Sequence, residues 1–199
     1  MRYLLTHSLL SSWLYAMKDM GDRDTYQEFL QVLRREPTPR TEHLQKGIDF
    51  EDLVTDITLG KGDEASPWYP AARKVAGIVQ GGILQCKASR PIDVDGVPLL
   101  LYGRLDCLKA GVIDDIKYST SYERGKYLDS TQHPTYFELV PEAETFRYLI
   151  SNGTEVWTET YRRDETPSIY PTISQFLIFL NDMGLMDIYR KGWESLGSR

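Results

Sequence analysis

The sequence predicts an α/β (α+β) domain, and three observations carry that prediction. Residues 83–118 read as a strand, 83–94, and two apolar strands after it, separated by Asp95-Gly96 and Ala110-Gly111, two tight-turn signals, so strands follow one another directly there. A further pair of alternating stretches, 146–150 and 155–161, is joined through Asn152-Gly153, the strongest short hairpin signal in the chain. Before and after these strands, apolar residues recur at helical spacing.

The bulk composition bounds the rest. A chain of 199 residues, 41% hydrophobic, can form one sizeable domain but not two, and 12% aromatic residues argue against disorder. No run of about 18 apolar residues is present, which excludes a transmembrane helix. Residues 1–7 lack a long apolar core and a small-residue cleavage site, so no signal peptide is expected. Cys86 and Cys107 are isolated and read as buried thiols of a reducing cytoplasm, not as a disulfide or an iron–sulfur site. The net charge of −6 gives no support to a nucleic-acid partner by itself. A metal-dependent nuclease must nevertheless carry acidic residues, and its cations are absent from that sum.

In chain order, Thr6 can cap a first helix with the stripe Leu9, Leu10, Trp13, Leu14 and Met17, ending near Gly21. His7 is expected to cap or pack. A second helix, 25–36, repeats the pattern through Tyr26, Phe29, Leu30 and Leu33 until Pro37-Thr38-Pro39 stops it. The third, 41–59, carries Gly47 and Glu51 one turn apart on one face. An interior glycine costs about 1 kcal/mol relative to Ala, and close approach to a sheet would explain it. On the residues alone, an exposed Glu51 beside a tolerated glycine is the commoner arrangement. His43 and Lys46 lie on or near the same helix.

A fourth helix, 70–80, is closed by Gly81-Gly82. The strand 83–94 is expected to be interrupted around Pro91. After the third strand a polar segment, 119–129, holds Arg124 and Lys126. Ser130 or Thr131 can cap a helix to about 140, with Pro134 tolerable in its first turn and Gln132 and Tyr136 one turn apart. From about 168 the chain is helical, with a break near Gly184.

The hairpin 99–118 carries the chemistry. Folded about Ala110-Gly111, it sets Asp106 opposite Asp115, and alternation points Asp115 and Lys117 to one face. Two carboxylates directly opposed in a sheet are destabilising, and a divalent cation is the natural compensation. Oxygen-only ligands suit Mg²⁺ or Mn²⁺. Taken alone, Asp115-Ile116-Lys117 is a common tripeptide at a solvated hairpin. A glycosidase acid–base pair is disfavoured by the adjacent lysine and the lack of an aromatic platform.

With its ends left out, the order helix, strand, strand, strand, helix, strand resembles the αβββαβ core of the PD-(D/E)XK nuclease superfamily, and more narrowly the RecB-type exonuclease branch. The matching residues are Gly47-x-x-x-Glu51, Gly103-Arg104-Leu105-Asp106, Asp115-Ile116-Lys117 and Gln132-x-x-x-Tyr136, spread over residues 41–163. Glu51 stands where many RecB-type members carry His, and the four cysteines of iron–sulfur relatives are lacking. The resemblance implies a restriction-endonuclease-like core with a central mixed sheet flanked by helices. One nuclease domain would span 1–199, with a helical addition at 1–40, the core at 41–163 and C-terminal helices at 164–199. It implies a cytoplasmic, Mg²⁺- or Mn²⁺-dependent DNA exonuclease of phage or bacterial recombination or repair, with one or two ions and no iron–sulfur cluster. Asp106 and Asp115 would bind the metal, Glu51 directly or through water, and the Ile116 carbonyl would add a ligand. Lys117 would orient or activate the attacking water and stabilise the scissile phosphate. Gln132 and Tyr136 would line the site, with Arg104, Arg124 and Lys126 as phosphate contacts. A membrane partner is not implied; a homo-oligomer or a recombination partner protein is compatible with it. An endonuclease of the same fold, or a catalytically silent DNA-binding or assembly protein, is the alternative.

Overall fold

In the computed structural model, which describes residues 1–18, 24–37, 39 and 41–195, the chain enters as a strand, Tyr3–Leu5 (β1). Two helices follow, His7–Lys18 (α1) and Thr25–Leu33 (α2). Thr6 Oγ1 accepts from the Leu9 amide at 3.2 Å, as a cap should. The expected end of the first helix near Gly21, and Thr38 of the stop that follows the second, lie outside the described residues. Glu42–Thr58 (α3) is capped by Thr41, whose hydroxyl accepts from the Leu44 amide, and Tyr69–Val79 (α4) ends at Gly81, which has φ of +80°.

The strands Ile83–Val94 (β2), Val97–Lys109 (β3) and Val112–Tyr118 (β4) turn at Asp95-Gly96 and Ala110-Gly111. All four turn residues have positive φ, as a two-residue type I′ hairpin requires. Then come Gln132–Leu139 (α5), Thr145–Ser151 (β5), Val156–Arg162 (β6), Tyr170–Asp182 (α6) and Met186–Gly192 (α7).

The β2 strand is not interrupted at Pro91. Pro91 stays in register opposite Leu100, which an edge strand permits because its outer side has no ladder to supply. At the start of α5, Thr131 does not cap; its hydroxyl donates to the His7 carbonyl, and Ser130 Oγ accepts from the Gln132 amide.

The architecture is α+β: a six-stranded mixed sheet, order β1-β3-β4-β5-β6 with β2 on the other edge of β3, flanked by helices. The β1–β3 and β4–β5 pairs are parallel and the remaining pairs antiparallel. On one face α1, α2, α5, α6 and α7 bury Leu9, Phe29, Phe137, Phe176 and Tyr189 against Leu101, Leu105, Phe146 and Tyr148. On the other, α3 and α4 bury Phe50, Val54, Val75 and Val79 against Cys107, Ile116 and Leu149.

Candidate metal centre

On the edge away from β2, β3 pairs with β1 at residues 99–101 and with β4 at 107–109. Between those two neighbours the sheet forks. The β3–β4 register, Lys109↔Val112 to Cys107↔Asp114, is the one expected from a turn at Ala110-Gly111. One step further, at Asp106 and Asp115, the ladder stops. The Asp106 carboxylate takes over there, its Oδ2 accepting from the Ile116 amide at 2.7 Å. Because a strand residue's N–H and C=O point to the same side, the Ile116 carbonyl faces the same fork.

Asp115 and Lys117 share a face, with Nζ 2.8 Å from Asp115 Oδ2. Beyond that ion pair, no aligned donor reaches Oδ2, which is buried. Oδ1 accepts a short hydrogen bond from Gln132 Nε2. Asp114 points to the opposite face, where Arg147 clamps it at 2.5 and 3.0 Å.

Burial, then the charges of Asp115 and Glu51, push the Asp106 carboxyl well above its ordinary range, against the pull of Lys117 and the Ile116 amide. Burial also works against the Lys117 ammonium, but Asp115 and Asp106 outweigh it, and the amine is held above its ordinary value. Lys117 is a fixed cation at neutral pH.

Glu51 comes from α3. Its Oε1 accepts from Gln85 Nε2 at 2.7 Å and lies 3.6 Å from an Arg104 guanidinium nitrogen. Gly47 is not explained by close packing, because a Cβ there would meet nothing within 4 Å. Gly103 is the opposite case. A Cβ there would sit 2.7 Å from Tyr136 Cε1 and 2.8 Å from Leu139 Cδ1, so only glycine lets α5 lie on β3. Tyr136 then donates its hydroxyl to the Arg104 carbonyl at 3.0 Å.

Asp106, Asp115, Lys117, Ile116 and Gln132 thus meet in the fork, with Tyr136, Arg104 and Glu51 around it. Arg124 and Lys126 do not join them. Lys126 Nζ is held by Ser119 Oγ at 2.7 Å and the Ser121 carbonyl at 3.1 Å, and Arg124 lines a surface cavity with Trp157 and Thr158 of β6. Lys46 pairs with Glu42, and His43 lies over Tyr118.

Two residues around the site went unread in the sequence as parts of it. His7 packs edge-on against Tyr136, with ring centroids 5.6 Å apart; burial and the Lys117 charge lower its pKa to about 3, so it is neutral. Gln85 reaches Glu51 from β2. Nothing local marks either residue, since only tertiary neighbours bring them in.

Asp106, Asp115 and the Ile116 carbonyl form an oxygen-only donor set, and the Asp115 oxygen held only by the Lys117 ion pair could accept a hard divalent cation. Among the described residues, no three His, Cys, Asp or Glu side chains converge closely enough to hold a metal ion. Glu51 is engaged by Gln85 and Arg104 and is near enough for its charge to act on Asp106.

Among the described residues, no helix is long and apolar enough to cross a membrane. No protein-family model matches the chain, and no curated protein matches it in sequence. A crystal structure described as that of SSO0001 is similar at a TM-score of 0.52 and 14% identity, over 91% of this chain and 78% of that one; the likeness is one of fold alone.

Proposed function

We propose that this chain is a Mg²⁺- or Mn²⁺-dependent deoxyribonuclease on a PD-(D/E)XK core, acting as an exonuclease in phage or bacterial DNA recombination or repair. The order α3, β2, β3, β4, α5, β5, with α4 as an insertion, supports that core. The observation that carries the reading is the buried meeting of Asp106, Asp115 and cationic Lys117 where the sheet forks, with one Asp115 oxygen engaged by the lysine ion pair alone.

In this reading Asp106, Asp115 and the Ile116 carbonyl hold the cation, and Glu51 reaches it directly or through water. When bound, the cation polarises a phosphoryl oxygen and lowers the pKa of a bound water. Lys117, protonated at neutral pH, donates to the scissile phosphate and orients the attacking water instead of abstracting its proton. Gln132 fixes the Asp115 carboxylate, and Tyr136 fixes β3 at Arg104. The Arg104 side chain, 56% exposed beside Glu51, would meet a phosphate, while Arg124 and Lys126 would contact the backbone farther along the strand.

The test is digestion of end-labelled linear and closed circular DNA with Mg²⁺ and with Mn²⁺, with Lys117→Ala and Asp115→Asn alongside. Loss of linear DNA only, absent in both variants, is the expected result. Nicked or linearised circles would keep the site and make the enzyme an endonuclease. A second reading, a catalytically silent DNA-binding or assembly protein, is favoured by the lack of three converging metal-ligating side chains among the described residues. A folded protein that cleaves nothing and binds no Mn²⁺ would decide for it.

A further inference from the structure

We propose that Gln85 is a positioning residue that sets the Glu51 carboxylate for the cation site, an inference that rests on the nuclease reading above. The β2–β3 ladder runs from Ile83↔Leu108 to Val94↔Val97 with one pair missing. Leu84↔Cys107 and Cys86↔Leu105 are formed, but Gln85 and Asp106 between them are not paired. At that point Gln85 has φ of +52°, the left-handed region that L residues avoid outside turns. The other non-glycine residues with positive φ among those described, Arg35, Asp95 and Ala110, all lie in turns or helix ends; Gln85 alone sits inside a strand.

A backbone outlier kept within a regular strand needs a reason, and such outliers cluster at functional sites. Here the break does two things at once. It sends the Gln85 amide to α3, where Nε2 donates to Glu51 Oε1 at 2.7 Å. It also leaves Asp106 outside the ladder, so that its carboxylate turns to the Ile116 amide on β4. The neutral amide engages one Glu51 oxygen and leaves the other open, without competing as a charge. Arg104, 3.6 Å away, is the rival partner. Without Gln85, Glu51 would collapse onto that guanidinium. Hydrogen bonds of this kind orient ligating carboxylates, and losing one typically costs about 10–100-fold in metal affinity.

Mn²⁺ is titrated by calorimetry into the wild-type chain, Gln85→Gly, Glu51→Gln and the double variant, and the metal-free proteins are melted in parallel. Glycine relieves the left-handed backbone while removing the amide. Gln85→Gly is therefore expected to melt no lower than wild type yet bind Mn²⁺ about 10–100-fold more weakly. The double variant should bind no worse than Glu51→Gln alone, because both changes act through one carboxylate. Should Gln85→Gly melt lower, Gln85→Asn replaces it under the same criteria, since Asn accepts the left-handed backbone but is one methylene too short for Glu51. Wild-type affinity in these variants, with Glu51→Gln weakened, would overturn the role of Gln85 and leave the nuclease reading standing. A wild-type chain that binds no Mn²⁺ would overturn both.

Discussion

Asp106 meets two opposed demands. Its carboxylate is buried within reach of the charges of Asp115 and Glu51, yet the Ile116 amide needs it as an acceptor where the ladder stops. Asparagine separates the two, since its carbonyl can still accept from that amide while the charge disappears. Metal-free Asp106→Asn is therefore expected to melt above wild type, by about 2–4 °C for each kcal/mol of repulsion relieved. Mn²⁺ should raise the melting temperature of the wild-type protein and not that of the variant, since a ligand stabilises only the state that binds it. Thermal melts with and without Mn²⁺ check both. A variant that melts below wild type would show that the charge at 106 is not repelled. That outcome would be the residue-scale signature of a functional site: a group kept at a cost to the metal-free fold.

Among the elements, the segment between β4 and α5 is tied to β6 by one side chain. Glu159, on β6, accepts from Tyr122 Oη at 2.8 Å, the Gly125 amide at 3.2 Å, the Tyr127 amide at 3.1 Å and the Tyr161 hydroxyl. Burial disfavours its charge, but the hydroxyls of Tyr161 and Tyr122 and then the two amides win, and the carboxyl is held below its ordinary value of 4.5. Hydrogen bonds to charged groups contribute about 1.5–3 kcal/mol, and Glu159→Gln should lose an amount of that order near neutral pH. The sign of the pH dependence follows from the lowered pKa. The stabilisation is complete above the unfolded value and fades as pH falls through the folded one. Urea unfolding at about pH 7 and about pH 4 should thus show the wild-type advantage shrinking in acid; an advantage that grows would contradict the assignment. The sequence showed this segment as polar, with Arg124 and Lys126, but not which way it turns, because Glu159 looks like any outward residue of an alternating strand. The hairpin with Asp106, Asp115 and Lys117 was legible because turn chemistry and alternation are local. β1 was not, since three residues carry no periodicity and its partner β3 is remote in sequence. Pro91 misled for a related reason: a proline breaks a central strand, and only topology tells that β2 is an edge.

Across the whole molecule, the two ends of the chain close on each other beside the fork. Trp193 is buried, with Nε1 donating to the Leu33 carbonyl at 2.8 Å and its own carbonyl accepting from the Leu4 amide at 2.5 Å. Arg35 lies 4.2 Å over its ring, and the Tyr189 hydroxyl donates to the Leu4 carbonyl at 3.0 Å. Leu4 belongs to β1, which borders the fork, and His7 at the start of α1 packs on Tyr136. Helices at both ends therefore share one apolar cluster with the strands that carry the site. Trp193→Ala should cost about 3–5 kcal/mol, as for other large aromatic residues removed from a core. Because the damage enters through β1, the sheet and the terminal helices should still unfold together. Urea transitions followed by far-ultraviolet circular dichroism and by tryptophan fluorescence should coincide in both proteins, with the midpoint lower in the variant. Two separated transitions would mean that the terminal helices form a unit of their own and that the fork is held by the strands and α5 alone.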